Sequence, residues 1–178
     1  MADGFWLSAF LFFRKMKRRD LLSVLKPQYR FDTILDITAE DLKSAGVKLV
    51  LLDADNTLSL HGSQEPHPGV PEWIEEIKKS GIDLCIVSNN SKDRIKPFAD
   101  KLGLAFVYKS AKPLPKGFLK ACKMFGVSPK ESAVIGDQIF TDVLGGNWIG
   151  AKVFLTEPLG PETNGFIKFK RRIEKYVR

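Results

Sequence analysis

The segment VKLVLLDADNTL, Val47 to Leu58, limits the folds open to this chain more than any other. Five of the six residues before Asp53 are aliphatic, Lys48 being the exception. A run of that length, ending in turn-prone polar residues, reads as a strand buried on both faces. Asp53 and Asp55 stand two apart, so on extended backbone their side chains leave toward the same side. Two carboxylates brought together at the mouth of a sheet repel each other and are costly to bury without a cation. Magnesium, a hard ion that takes oxygen ligands, meets that need. An isolated Asp-x-Asp after a strand nevertheless serves turns and helix caps more often than chemistry, so the weight falls on its company.

That company is a regular alternation. Strand-like runs recur at 47–53, 82–88, 105–108, 132–136 and 151–155, with helical stretches between them at 70–79, 92–102, 116–125 and 139–148. Such a pattern predicts an α/β fold of three layers, a central parallel sheet covered by helices on both faces. Upstream, Leu21 to Leu25 suggest a short helix stopped by Pro27. Thr38 with Asp41 three residues on is a capping-box signature for a helix ending near Gly46. In open parallel sheets, ligands sit beyond the carboxyl ends of the strands. The first of these runs ends in Asp53 to Thr57, the second in Ser88-Asn89-Asn90, and the fourth in Gly136-Asp137-Gln138, with Asp142 five residues beyond Asp137.

Each of these residues has a plain structural use, Ser88 and Asn89 as turn or cap residues, Asp137 as an N-cap, Lys112 as a solvated charge. Together and in this order they fit phosphoryl transfer through an aspartyl phosphate. A carboxylate attacking a phosphate dianion meets strong repulsion, so a divalent cation and a lysine must offset it. Covalent catalysis splits hydrolysis into two easier steps, and a second carboxyl group can protonate the leaving oxygen and then take a proton from water.

The motifs DADNTL, SNN, AKP and GDQxxTD resemble the four motifs of the haloacid dehalogenase (HAD) phosphatases. The fuller wording, with IVSNN, AKPLPKGF, VIGDQIFTDVLGGN and the preceding LKPQYRF, is similar to the YqeG-type subclass IIIA phosphatases, relatives of the mitochondrial phosphatases of phosphatidylglycerophosphate. The resemblance covers about residue 22 to the end. It implies a HAD-like Rossmannoid fold, Mg2+ as cofactor, and Asp53 as nucleophile and metal ligand. Asp55 is implied as acid/base and as donor of a backbone carbonyl to the metal, and Asp137 as the remaining protein ligand. Ser88, Asn89 and Lys112 are implied to hold the phosphoryl group, with Thr57 and Asp142 in support. Lys116 is the rival for the lysine role, and Pro113, next to Lys112, makes Lys112 the better match.

Spacing bears on the substrate. Thirty residues separate Thr57 from Ser88 and 23 separate Ser88 from Lys112, which leaves no room for the cap domain that many members of the resembled family insert there. An open site suits a large substrate or one presented on a surface, since small-substrate enzymes enclose the reaction from water.

Charge points the same way. The chain carries +7 overall, but residues 1–19 hold five Lys or Arg against Asp3, and residues 165–178 hold six against Glu174. The middle is mildly acidic and offers no basic groove for nucleic acid. Residues 1–20 read as an extension of a single domain spanning 21–178. Its apolar stretch, Phe5 to Phe13, is far shorter than the roughly 20 residues of a spanning helix. The basic cluster follows it instead of preceding it, unlike a secretory signal. An aromatic plug followed by Arg14 to Arg19 resembles an interfacial anchor, and Phe166, Phe169, Ile173 and Tyr176 repeat the theme in helical form. The expectation is a lipid headgroup as substrate, an anionic membrane surface as partner, and a place in the cytoplasm, peripheral at the inner face. The alternatives are a soluble phosphatase of nucleotide, sugar or polynucleotide phosphates, and a binding protein on the same fold without turnover. Cys85 and Cys122 show no CxxC spacing and read as small core residues. His61 and His67 read as solvated loop residues.

Overall fold

A computed structural model describes residues 23–160. The two basic ends, residues 1–20 and 164–178, lie outside the described residues, as does the start of the short helix expected before Pro27.

Six strands form one sheet: β1 (Tyr29–Phe31), β2 (Leu49–Leu52), β3 (Asp83–Val87), β4 (Ala105–Val107), β5 (Ser132–Gly136) and β6 (Lys152–Thr156). Their order is β1-β6-β5-β2-β3-β4, and every neighbouring pair is parallel. Helices α1 (Ala39–Ser44), α2 (Val70–Lys79), α3 (Lys92–Leu102), α4 (Pro115–Phe125) and α5 (Leu144–Ile149) fill the connections. The predicted three-layer α/β architecture is therefore the observed one.

β2 lies at the centre because it has no polar face to show. All four of its residues are buried, each burial contributing roughly 2 kcal/mol. Alternation then divides them: Val50 and Leu52 pack with the buried stripes of α1, α2 and α3, while Leu49 and Leu51 pack against Phe118, Ala121 and Cys122 of α4. In α2 the buried residues Val70, Trp73, Ile74 and Ile77 follow helical spacing, and Trp73 donates from its indole nitrogen to the Ile37 carbonyl at 2.7 Å. The capping box of α1 forms as predicted, Thr38 and Asp41 exchanging side-chain and backbone hydrogen bonds. Both cysteines are free and buried, and burial pushes the Cys85 thiol up to about 12.

Two elements depart from expectation. The sequence pattern showed five strands, and β1 is a sixth. Tyr-Arg-Phe at a sheet edge is too short and too exposed to leave an apolar signature. It is held instead by pairing with β6, in register Tyr29 with Phe154, and by a ring stack of those two residues at 4.4 Å. The helix expected at 139–148 begins as a π-helical turn over Ile139–Val143 and becomes α5 only at Leu144. There the Gln138 carbonyl accepts from both Asp142 N at 2.9 Å and Val143 N at 3.3 Å. Such widened turns concentrate at functional sites.

The chain runs outward from β2 through β3 to β4, then crosses to β5 on the other side of β2. The sheet thus has a topological switch point between β2 and β5, where a crevice opens beyond the strand ends. The intervals 57–88 and 88–112 hold only loops, α2, α3 and short strands, so neither carries an inserted cap domain over that crevice.

Candidate active site

Asp53 is the first residue beyond β2, and its N–H still pairs with the Ile135 carbonyl of β5 at 2.9 Å. The chain then reverses. Asn56 takes a left-handed φ of 61°, and the Ala54 carbonyl accepts from Leu58 N at 2.9 Å and Ser59 N at 3.1 Å. This tight turn leaves the Asp53 carboxylate at the crevice, almost wholly buried.

Lys112 reaches it from the loop that follows β4. Its Nζ donates to Asp53 Oδ1 at 2.5 Å and to Asp142 Oδ1 at 2.8 Å. Lys116 is exposed and lies outside the residues that line the cleft, so of the two rival lysines Lys112 is the one at the aspartates. The loop that carries it is fastened to the end of β3. Ser110 N donates to the Ser88 carbonyl at 3.0 Å, and Lys109 N to the Asn90 carbonyl at 2.9 Å. Asn89 clamps the lysine's own backbone, its Oδ1 accepting from Lys112 N at 2.6 Å and its Nδ2 donating to the Lys112 carbonyl at 3.2 Å. The same Oδ1 accepts from Ser110 Oγ at 2.9 Å. Lys109 and Ala111 hold left-handed φ angles of 45° and 59°, strain of the kind that concentrates at functional sites.

Asp142 descends from the π-helical turn. Its second oxygen accepts from Gln138 N at 3.3 Å and from Thr141 Oγ1 at 3.1 Å. A side chain on Gly136 is excluded by this arrangement, since a Cβ there would lie 2.4 Å from the Asp142 carboxyl carbon. Asp53, Asp137 and Asp142 bring carboxylate oxygens within 4.8 Å of one another, all three residues buried.

Three buried carboxylates against one buried ammonium is an excess of negative charge that a divalent cation neutralises, and an all-oxygen donor set suits a hard one. Burial pushes the Asp53 carboxyl up to about 7; Lys112 opposes the rise while Asp142 and Asp55 add to it. Burial alone would lower the Lys112 ammonium, but Asp142 and then Asp53 hold it above its ordinary value.

The cleft has a volume of about 210 Å³ and is lined by Asp53, Asp55, His61, Ser88, Asn89, Asn90, Lys112, Gln138 and Thr141. Of the residues singled out from sequence, Asp53, Asp55, Ser88, Asn89 and Lys112 meet there. Asp137 and Asp142 stand directly behind. Ser88 is buried, and its Oγ accepts from Asn90 N at 3.2 Å. Asn89 lines the cleft, and its amide also holds the lysine loop. Thr57 is buried and off the cleft lining, its hydroxyl without a hydrogen-bond partner.

Asp55 brings residues that sequence reading missed. Its Oδ1 takes an ion pair from Arg94 Nη2 at 3.1 Å and a hydrogen bond from Gly62 N at 2.9 Å, and its Oδ2 accepts from Asn90 Nδ2 at 2.6 Å. Arg94 Nη2 also donates to the Ser63 carbonyl at 2.6 Å. Asn90 was visible in the Ser-Asn-Asn triplet, but Arg94 is one basic residue in the first turn of an amphipathic helix and carries no signal of its own. His61, read as solvated, is exposed yet stands at the rim of the cleft.

A parallel sheet whose switch point holds buried carboxylates around one lysine defines an α/β enzyme built to handle an anionic group. A family model of the haloacid dehalogenase-like hydrolases matches residues 13–150, and the chain belongs to that family, as an enzyme of its phosphatase kind. It is 41% identical over 145 residues to the "Probable phosphatase YqeG" of Bacillus subtilis, covering 81% of this chain and 84% of that protein. It is 32% identical over 146 residues to "Phosphatidylglycerophosphate phosphatase 1, chloroplastic/mitochondrial" of Arabidopsis thaliana, covering 76% of this chain and 42% of the longer plant protein. Among solved structures, a HAD family hydrolase from Deinococcus radiodurans with bound phosphate and sodium shares the fold at a TM-score of 0.54 and 19% identity, covering 71% of this chain and 88% of that one. No helix among the described residues is long and apolar enough to cross a membrane.

Proposed function

We propose that this enzyme is a Mg2+-dependent phosphomonoesterase that works through an aspartyl phosphate and converts phosphatidylglycerophosphate to phosphatidylglycerol at the inner face of a membrane. The observation that carries the catalytic part is the ammonium of Lys112 set between Asp53 and Asp142 inside the buried acidic cluster.

In this reading Asp53 attacks phosphorus, an Asp53–phosphorus bond forms, and the bond to the glycerol oxygen breaks. Asp55 gives that oxygen its proton. Asp55 then takes a proton from water, whose oxygen attacks phosphorus and releases Asp53 and inorganic phosphate. Lys112 offsets charge on both nucleophile and phosphate. Ser88, buried at the floor, offers its hydroxyl to the phosphoryl oxygens, and Asn89 fixes the lysine's backbone. Held by Asp53, Asp137 and the Asp55 carbonyl, Mg2+ would supply the positive charge that lets a carboxylate approach a phosphate dianion. Asp142 and Thr57 act in support, Asp142 by holding Lys112. The catalytic unit is proposed to be one domain, residues 21–178, with residues 1–20 as an appended membrane-binding extension.

The lipid assignment is supported by the uncapped cleft, by the basic ends of the sequence, and by the activity printed for the plant relative. Phosphate release tests it, comparing phosphatidylglycerophosphate in anionic vesicles with soluble phosphate esters, wild type beside Asp53→Asn. Release from the lipid, at least about tenfold faster than from soluble esters and abolished by the substitution, is the expected outcome. Release from soluble esters alone would keep the catalytic assignment and discard the lipid; release from neither would remove both.

A further inference from the structure

Helix α4 shows the solvent a face that is unusual in its chemistry. Lys116, Leu119, Lys120, Lys123 and Met124 follow one another at steps of one to three along a single exposed stripe. Leu119 is 44% and Met124 51% exposed, and Tyr108 on the preceding loop is 38% exposed. From Pro115 to Phe125 the helix carries no acidic residue. A solvated helix face normally mixes charges of both signs and keeps large aliphatic side chains out of water. Here lysines alone alternate with apolar side chains.

The face is continuous with a groove of about 290 Å³ whose lining includes Tyr108, Lys109, Lys116 and Lys120. Lys120 Nζ stands 5.9 Å from the centre of the Tyr108 ring, so a ring suited to the membrane interface and a cation sit together. Ser110 and Ala111 also line this groove, while Lys112, the next residue, lines the cleft. Groove and cleft thus share one loop.

We propose that the exposed face of α4, together with the Tyr108–Lys109 turn, is the surface by which this enzyme docks on an anionic lipid bilayer, presenting the neighbouring cleft to headgroups in the same leaflet. The occupant is identified by complementarity. A leaflet offers negative phosphates at the level of the lysines and hydrocarbon just beneath, where Leu119 and Met124 would enter. Docking here rests on the lipid-substrate reading for its purpose, and it explains how an uncapped cleft finds a headgroup without a lid.

The test uses the full chain with Leu119→Cys carrying an environment-sensitive fluorophore. Cys85 and Cys122 are buried and stay unlabelled in the folded protein. Lys48→Cys, at the opposite rim of the sheet and exposed, is the control. With vesicles of phosphatidylcholine containing phosphatidylglycerol, the label at 119 brightens and shifts to the blue and the label at 48 does not; pure phosphatidylcholine gives no response at either. Adding Lys116→Glu and Lys120→Glu weakens partitioning at least about thirtyfold, the loss of the two lysines alone at about tenfold for each 1.4 kcal/mol and roughly 1 kcal/mol per lysine, with the added glutamates repelled besides. Hydrolysis of a soluble ester is unchanged, because neither lysine lines the cleft, and the glutamate at 116, in the first helical turn, is favoured by the helix dipole.

A label at 119 that stays silent while the protein sediments with the vesicles would overturn the docking and assign binding to another part of the chain. A response that grows with protein concentration in the absence of vesicles would overturn it in favour of a second copy. Lipid hydrolysis with a silent label leaves the substrate reading standing and the docking face refuted. A vesicle response without lipid hydrolysis does the reverse.

Discussion

Asp55 is held from three directions, by Arg94, Asn90 and the backbone of Gly62. A carboxylate so gripped keeps one orientation, and the acid/base role proposed for it is then tied to residues that touch nothing reactive. Replacing Arg94 with Met is expected to lower kcat by about tenfold to a hundredfold, a part of the 10²–10⁴ that general acid–base catalysis contributes, with KM little changed. Arg94→Lys restores part of the loss; steady-state kinetics on a soluble ester separates the two constants, and a change in KM alone would make Arg94 a substrate contact. At Gly136 the constraint is steric, because a methyl group would press on the Asp142 carboxyl. Gly136→Ala should cost about 1–3 kcal/mol in urea unfolding and displace the partner of Lys112, reducing kcat as well. Asp53, Asp137 and Lys112 were legible from sequence because each stands at a strand end or beside a proline in a recognisable string. Arg94 and the clamp by Asn89 were not, since their roles arise from which loops meet across the crevice.

Secondary structure was legible wherever burial wrote a period into the sequence. The stretches 70–79 and 92–102 match α2 and α3 to the residue, because their apolar stripes are uninterrupted and a glycine or serine marks their ends. β1 wrote no period. Its stability comes from β6, more than 100 residues away, and an edge strand with one stacked face leaves no apolar run. The π-helical turn was equally hidden, since one extra residue in a turn alters hydrogen bonding without altering composition. α1 supports a prediction at this scale. Thr38→Ala removes its cap and should cost about 1 kcal/mol at neutral pH. The Asp41 carboxyl lies below its ordinary value of 3.8, chiefly through the Thr38 side-chain hydrogen bond. A depressed folded-state pKa contributes stability above the unfolded value and loses it as pH falls through the folded one. The difference between wild type and Thr38→Ala should therefore shrink below about pH 4, as followed by chemical denaturation across pH.

At the scale of the whole molecule, the buried cluster around Asp53 and Asp137 would couple the proposed metal binding to folding. Adding Mg2+ at about 100 times its Kd should stabilise the fold by about 2.7 kcal/mol, seen as a rise in Tm. In Asp137→Asn that rise should largely vanish. A wild-type Tm indifferent to Mg2+ would remove Mg2+ as the resident ion. A second long-range feature lies at the sheet edge. Gln28 donates from its amide to Asn147 at 2.8 Å and accepts from Val153 N at 2.6 Å, contacts that span 119 and 125 positions of the chain. Beside them β1 lies on β6. On a ribosome, the segment that leaves the exit tunnel early must wait for the last strand before it has anything to pair with. Until then the acidic cluster has its side chains but not its completed sheet. A nascent chain of this enzyme should stay sensitive to protease near Tyr29 until Thr156 has left the tunnel, and only then become resistant in a single step.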